Sequence, residues 1–413
     1  MEIGEEIKVN WKRKFITIYA GQAFSLLGSA AVQFAIIWWL TVQKESAITL
    51  TLATEASFLP NILLGPFAGV WIDRCNRRTV MIAADGLVAA SSVVLGLAFL
   101  LWEVPPVWFI YLILFIRGLG NTFHSPAMQA AIPMFVPVEM LTKAGGWGNL
   151  IVSVSTMLGP ALGAGLMAFL PVAAIMLVDI AGAAFAIGCL LTVTIPDIPQ
   201  STGKVHLLDD VKKGLTAMWN NKPLRAAFFP IIFASILYMP LGSLFPLLVR
   251  VHYAGGAWHN AVVEFVFSGG LLVSSFMMGI WGGSKKRFLM ISLSIVVLGG
   301  AAAVSGILPA GGFWGFVLCC FFMGGSGTFF NVPLMAYIQE TVAPEMMGKV
   351  FSMLTTAMTL ATPFGLLIAG PVSEAAGVES WFWVSGILMG IAGILCMAMT
   401  RRYERGTESK DRV

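Results

Sequence analysis

Twelve apolar runs, most of them twenty residues or longer, follow one another along the 413-residue chain, parted by short polar or charged turns. A run of about twenty apolar residues is what an α-helix needs to cross a hydrocarbon layer ~30 Å thick at a rise of 1.5 Å per residue. The runs fall near 15–42, 47–72, 79–101, 107–130, 144–170, 172–195, 224–252, 258–282, 288–308, 313–338, 346–372 and 378–400. Charges collect between the runs and do not alternate with apolar residues inside them, which selects a helical bundle over a barrel of membrane strands. With 58% hydrophobic and only 11% charged residues, the chain lies outside the range of water-soluble domains. The expected fold class is an all-α membrane protein of twelve transmembrane helices.

The basic residues test that map. Of the 25 Lys and Arg, only Lys44 and Arg250 fall at helix ends or loops on one side, and only Arg117 falls deep inside a run; the other twenty-two share the opposite side, Arg225 and Lys349 at the extreme ends of their runs. Positive loops stay in the cytoplasm, and an odd number of missed helices would have scrambled the split. Both termini are therefore expected in the cytoplasm. Residues 1–14 are polar, and no small-residue cleavage site follows the first run, so it reads as a retained helix and not a signal peptide. The expected divisions are a cytoplasmic segment 1–14, a six-helix bundle 15–195, a cytoplasmic linker 196–222, a second six-helix bundle 223–400 and a cytoplasmic tail 401–413. The linker, with Pro196, Pro199, Asp209, Asp210, Lys212 and Lys213, suits either a short amphipathic surface helix or a disordered connection.

The two halves repeat. Gly118, Thr122, Phe123, Ala130, Glu139, Met140 and Lys143 recur 206 positions later as Gly324, Thr328, Phe329, Ala336, Glu345, Met346 and Lys349, and Gly69 and Arg77 recur 210 positions later as Gly279 and Arg287. Two charged loop residues among the matches set them apart from apolar coincidence. Parallel six-helix repeats of this kind place a substrate cavity where they meet, near the bilayer midplane.

The turn between the second and third runs, GPFAGVWIDRCNRR from Gly65 to Arg78, joins two spans that must be antiparallel neighbours. Gly65 and Gly69 form a small-xxx-small pair suited to close helix approach. The pattern Gly69-x-x-x-Asp73-Arg74-x-Asn76-Arg77-Arg78 resembles the loop signature of the major facilitator superfamily, with Asn76 where a glycine is usual. Asn tolerates positive φ best after Gly, so the turn is expected to survive. By that resemblance Gly69, Asp73, Arg74, Arg77 and Arg78 form a latch that steadies one transport state; a basic loop that only fixes topology is the plainer alternative.

Charges inside the runs cost about 2.5–3.5 kcal/mol at the bilayer centre even on the lenient insertion scale, so they should face a cavity, pair, or carry a proton. Glu55 and Glu264, 209 positions apart, are candidate proton carriers at comparable places in the two halves, or else shallow anchors at the interface. Asp85, one to two turns into helix three, is expected in the charge cluster of the Asp73 hairpin and is a secondary coupling candidate. Arg117 resembles the buried arginine that antiporters of the superfamily carry in helix four, where it takes part in proton coupling; pairing with Asp85 or Glu55 would serve that role or a structural one. Asp179, early in helix six, suits a cationic ligand or a capping role. His124 could shuttle protons but more commonly packs, and Pro126 is expected to break helix four beside it.

In helix five Gly159-Pro160-Ala161-Leu162-Gly163 resembles the Gly-Pro signature of the superfamily's antiporters; Gly159, Pro160 and Gly163 would act as a hinge or seal. Gln33, Asn61, Phe123, Asn149, Asp179, Tyr238, Phe245 and Phe329 are candidate substrate contacts. The five cysteines show no CxxC or Cys/His spacing, so no metal site is expected, nor any cofactor. A phosphate-binding loop, a nucleophile–base pairing and HExxH are absent from the sequence, which argues against an enzyme and against ATP as the direct energy source. The net charge of +4 sits in loops and reports topology, so no nucleic-acid partner is implied.

Together GPFAGVWIDR, FIRGLGNTFHSPA, VPVEMLTKA, YMPLGSLFPLL, FMGGSGTFF and PEMMGKVFSM resemble the macrolide-efflux-type drug:proton antiporters of bacteria, a branch of that superfamily. The resemblance implies a multi-pass inner-membrane exporter of amphipathic compounds driven by proton entry and alternating access. Its expected partners are a small amphipathic substrate, protons and the lipid bilayer; it is expected as a monomer, with a separate ATP-hydrolysing or periplasmic protein as an optional partner. Export of a siderophore-like metabolite, lysophospholipid flipping, uptake symport and a transport-dead receptor are the alternatives.

Overall fold

The computed structural model describes residues 2–137, 140–195, 218–284, 286–342 and 344–410, together with Thr216. Among the described residues every regular element is helical. In chain order these are α1 (Glu2–Lys44), α2 (Ala47–Arg74), α3 (Arg77–Leu101), α4 (Val107–Phe135), α5 (Leu141–Phe169) and α6 (Val172–Thr192), then α7 (Lys222–Leu247), α8 (Ala257–Trp281), α9 (Arg287–Ile307), α10 (Phe313–Thr341), α11 (Pro344–Ala376) and α12 (Val378–Lys410). All twelve contain a stretch long and apolar enough to span a membrane. The amphipathic helix considered for the linker lies outside the described residues.

Several local expectations are corrected. α1 begins at Glu2 and α12 continues to Lys410, so the polar stretches expected in the cytoplasm are helical continuations of the first and last helices; no proline interrupts either stretch. α4 runs through Pro126 and Pro133 to Phe135, because helices in an apolar setting can satisfy the freed backbone groups elsewhere. Asn76 has φ −67° and is the N-cap of α3, its Oδ1 accepting from the Thr79 amide at 3.2 Å. The residue thus serves the hairpin as a cap, with no positive φ; in the second half the corresponding turn does use left-handed glycines, Gly282 at φ +73° and Gly283 at φ +78°.

Contacts divide the chain into two compact units, Met1–Gln43 with Ala53–Val205 and Lys44–Leu52 with His206–Val413. In the first, α3 packs along α4 and α6. One end of this unit is closed by a core of Phe15, Ile18, Tyr19, Ala68, Ile72, Met81, Ala127, Ala131 and Phe135. Two cations cap the far end of α6: Arg78 Nη2 donates to Leu191 O at 2.8 Å and Lys14 Nζ to Thr194 O at 3.4 Å. A helix C-terminus, with its unpaired carbonyls and negative dipole end, favours such partners.

In the second unit α9 packs along α12 and α10, and α8 along α10. α7 passes into a five-residue π-helical turn, Leu248–His252. Arg250 on that turn meets Glu45 at 2.9 Å. The Glu374 carboxylate accepts from the Ser46 hydroxyl at 3.0 Å and the Ala47 amide at 2.8 Å, supplying the anionic cap that the start of α2 lacks in its own sequence. Phe245, Phe316 and Phe382 form an aromatic core with ring centroids 5.8–6.3 Å apart.

Glycine contacts fix the register of the repeat. Gly118 of α4 lies against the Ser57 carbonyl of α2, and Gly324 of α10 against the Phe267 carbonyl of α8. Gly159 of α5 rests on Ala30 of α1, and Gly365 of α11 on the Ile236 carbonyl of α7. At each point a Cβ would collide with the facing helix, so these crossings exist because the side chain is absent. Gly96 of α3 faces Ala173 and Met176 of α6, and Gly306 of α9 faces Glu379 and Trp383 of α12. Helices one, four and five thus map onto seven, ten and eleven at an offset of 206, and helices two, three and six onto eight, nine and twelve at 210. By this register Glu55 corresponds to Phe265, and Glu264 to Thr54. The two glutamates are one residue out of step, about 100° apart around their helices, and the sequence expectation of comparable places is corrected.

Candidate functional site

Asp179 of α6 is completely buried and anchors a polar cluster inside the first unit. Arg117 Nη1 of α4 meets its Oδ2 at 2.5 Å, with only 5% of the arginine side chain exposed. Ser92 of α3 donates to the same oxygen at 2.5 Å while accepting from Arg117 at 2.7 Å. Ser29 of α1 donates to Oδ1 at 2.5 Å. Four helices therefore supply one ion pair in which both carboxylate oxygens accept hydrogen bonds, which favours tolerance of a pair buried in low dielectric. The sequence expectation had Arg117 pairing with Asp85 or Glu55 and left Asp179 as a ligand or cap; the geometry joins Arg117 to Asp179. Ser29 and Ser92 carried no local signal, because a serine in a membrane helix usually bonds back to its own backbone.

In the second unit the repeat register carries Ser29 to Ser235, which is buried and donates to the Ile231 carbonyl at 2.9 Å, but the ion pair has no counterpart. The repeat register carries Arg117 to Met323, Asp179 to Met389 and Ser92 to Ala302, all buried. The same helix crossings therefore pack without an ion pair.

Asp85, also buried, receives a hydrogen bond from Gln22 Nε2 at 3.2 Å, and His124 Nε2 stands 3.5 Å from its other oxygen. This places Asp85 with α1 and α4, away from the role expected for it in the hairpin cluster. Of the proposed latch, Arg78 caps α6, Arg77 is buried with its guanidinium near the Cys75 carbonyl, and Arg74 is exposed; the side chain of Asp73 lies outside the described residues. Among the described residues, a Cβ added at Gly65 would meet nothing within 4 Å but Asn61 of its own helix, in place of the close helix approach expected there.

Glu55 is half-buried, with Oε2 enclosed and without a hydrogen-bond partner. Glu264 accepts from Asn260 Nδ2 one turn back at 2.9 Å. The helix-five motif sits tight on α1, Gly159 against Ala30 and Gly163 against the Ala31 carbonyl and Phe34, and α5 continues through Pro160. Among the candidate substrate contacts, Asn61 and Asn149 are exposed, and Gln33, Phe123, Tyr238 and Phe329 are half-buried, Phe123 packing on Trp71 with ring centroids 5.6 Å apart and the planes inclined at 53°. Phe245 is only 4% exposed and belongs to the aromatic core, which removes it from the lining expected of it. In the second unit a cleft of about 630 Å³ opens between α8 and α10, lined by Leu271, Ser275, Thr328, Asn331, Met335 and Gln339 among others. Among the described residues no group of three or more His, Cys, Asp or Glu is placed to hold a metal ion.

Twelve spanning helices in two repeated six-helix units, with a charge pair buried in one of them, are the marks of a multi-pass membrane transporter. A model of the Major Facilitator Superfamily matches residues 18–302 and 257–412, and the chain belongs to that family. It is 38% identical to macrolide efflux protein A of Streptococcus pyogenes over 392 residues, 94% of this chain and 96% of that protein. To macrolide efflux protein A of Enterococcus faecalis it is 36% identical, over 78% of this chain and 99% of the other. The multidrug efflux pump Tap of Mycobacterium tuberculosis is 27% identical over 87% of each. A bacterial homologue of the lysosomal transporter Spinster shares the fold, with a TM-score of 0.71 at 13% identity over 95% of this chain and 98% of that one.

Proposed function

We propose that the protein exports amphipathic compounds, macrolides among them, across the bacterial inner membrane in exchange for protons, by alternating access and with both termini in the cytoplasm. The efflux reading is supported by the likeness to two macrolide efflux proteins and the Tap pump over most of the chain. The coupling reading is carried by one observation, the Arg117–Asp179 pair, whose places in the repeat are taken by Met323 and Met389. An arrangement that folds with methionines does not need an ion pair for packing, and buried charge at mid-membrane is expensive enough to be kept for work. Under this reading Arg117 holds the positive charge that a moving proton must work against. Glu55, Glu264 and Asp85 are the groups that can take the proton up or release it, while Gly69, Asp73, Arg74, Arg77 and Arg78 steady one state. Gly159, Pro160 and Gly163 let helix five slide on helix one. Substrate would contact Gln33, Asn61, Phe123, Asn149, Tyr238 and Phe329.

The test is the susceptibility of a drug-sensitive host expressing the protein, measured with erythromycin and a broad set of amphipathic compounds. Raised tolerance that is lost in Arg117→Met supports export; unaltered tolerance to the whole set, with the protein present in the membrane, refutes it.

A further inference from the structure

α3 and α4 run antiparallel, and they carry two polar rungs. Ser92 meets Arg117 in one and Asp85 meets His124 in the other. On both helices the rungs are seven residues, two turns and about 10 Å, apart. Gly120 lies between them on α4, where the lack of a side chain lets that helix settle against Val88 and the Ala84 carbonyl.

The rungs differ in completeness. Both oxygens of Asp179 are hydrogen-bonded. In the other rung His124 Nε2 stops 3.5 Å short of Asp85 Oδ1, and both His124 Nε2 and Gln22 Oε1 are enclosed with no hydrogen-bond partner. A buried polar atom left open in this way loses its hydration with nothing in exchange. One proton closes the gap. Held on Nε2, it makes the imidazole a donor to Asp85 Oδ1; held on the carboxyl, it makes an O–H that Gln22 Oε1 accepts once the amide turns over. Side-chain exposure falls from 13% at His124 and 9% at Asp85 to 5% at Arg117 and none at Asp179, so the incomplete rung is the less enclosed of the two.

We propose that His124, with Asp85 and Gln22, is the proton-exchange site of the first unit, and that Arg117–Asp179 is a fixed charge lock two turns deeper. This rests on the antiport reading and adds the residue that holds the exchangeable proton. The groups around the site are Gln22 of α1 with Tyr19 one turn away, Asp85 of α3 with Arg77 two turns away, and Trp71 of α2 on Phe123 with Asp73 and Arg74 at the end of that helix. Cys189 of α6 packs on Gly21, and Gly148 of α5 lies on Tyr19. Histidine is the side chain whose charge changes most readily near neutral pH.

The chain has four histidines, so ring-labelled histidine gives four resonances by NMR in lipid nanodiscs, with no substrate added. The resonance absent from His124→Gln should titrate, and Asp85→Asn should move its midpoint by about one pH unit or more. Gln22→Leu, which keeps both titrating groups, should move it as well. A His124 resonance that does not titrate, or that ignores both substitutions, overturns the proposal. In proteoliposomes the ratio of pH-driven to gradient-free erythromycin transport should fall at least about tenfold in His124→Gln, and a ratio within about twofold of the parent also overturns it. If the parent protein moves no erythromycin under a pH gradient, antiport fails, and the NMR titration alone decides the site.

Discussion

Arg117 of α4 and Asp179 of α6 meet at 2.5 Å in the interior of the first six-helix unit, and the second unit puts Met323 and Met389 in the same two places. One fold has solved the same packing problem with an ion pair and with a pair of methionines. That difference allows the structural and functional shares of the charge pair to be separated.

Breaking the pair leaves one charge buried and alone, which costs about 3–5 kcal/mol, whereas replacing both partners with apolar residues is often neutral. Arg117→Met and Asp179→Met should each lower the thermal midpoint of the detergent-solubilised protein sharply. The double variant, which copies the second unit, should recover most of that loss. Transport by the double variant should stay abolished. A double variant as unstable as the worse single one would mean that the two methionine positions are not true equivalents.

The glycine crossings make a sharper packing test. Gly118→Leu and Gly324→Leu should each destabilise by more than the about 1–3 kcal/mol typical of overpacking, because the atom struck is a backbone carbonyl that cannot turn aside. Gly86→Ala, whose added Cβ meets no neighbouring helix within 4 Å among the described residues, should be tolerated. Midpoints of thermal unfolding for the three variants check this, and equal behaviour of all three would contradict the assigned crossings.

Phe245 offers a contrast between core and cavity. Phe245→Ala should cost about 3–5 kcal/mol of stability, as for a large buried aromatic, with the ranking of exported compounds unchanged. A shifted ranking at undiminished stability would return the residue to the substrate path.

Much of this was legible in the sequence. Span length and the sorting of Lys and Arg are direct records of the bilayer as solvent, and they gave twelve helices. The repeat was visible in Gly118 and Gly324 because a helix crossing that tolerates no Cβ leaves the same residue in both halves. Charge partners were harder to find. Asp179 lies 62 positions from Arg117, and nothing local distinguished it from Asp85 or Glu55 as partner. The serines that complete the cluster look like any other serine in a membrane helix. Asn76 misled for a related reason, since Asn serves both as an N-cap and as a left-handed turn residue, and only the backbone angle separates the two.

Glu55 carries an enclosed carboxylate oxygen with no partner, the condition of a group whose protonation state can change. Glu55→Gln should cut pH-driven erythromycin export by at least about tenfold while erythromycin binding remains measurable. Export unchanged within about twofold would clear Glu55 of a coupling role.

Proton exchange itself is most directly read in sealed proteoliposomes that hold a pH-sensitive dye and carry no imposed gradient. An outward-directed erythromycin gradient should draw protons inward, registered as internal acidification that requires the protein and is lost in the Arg117→Met, Asp179→Met double variant. Erythromycin leaving the vesicles through the protein with no change in internal pH would contradict proton exchange.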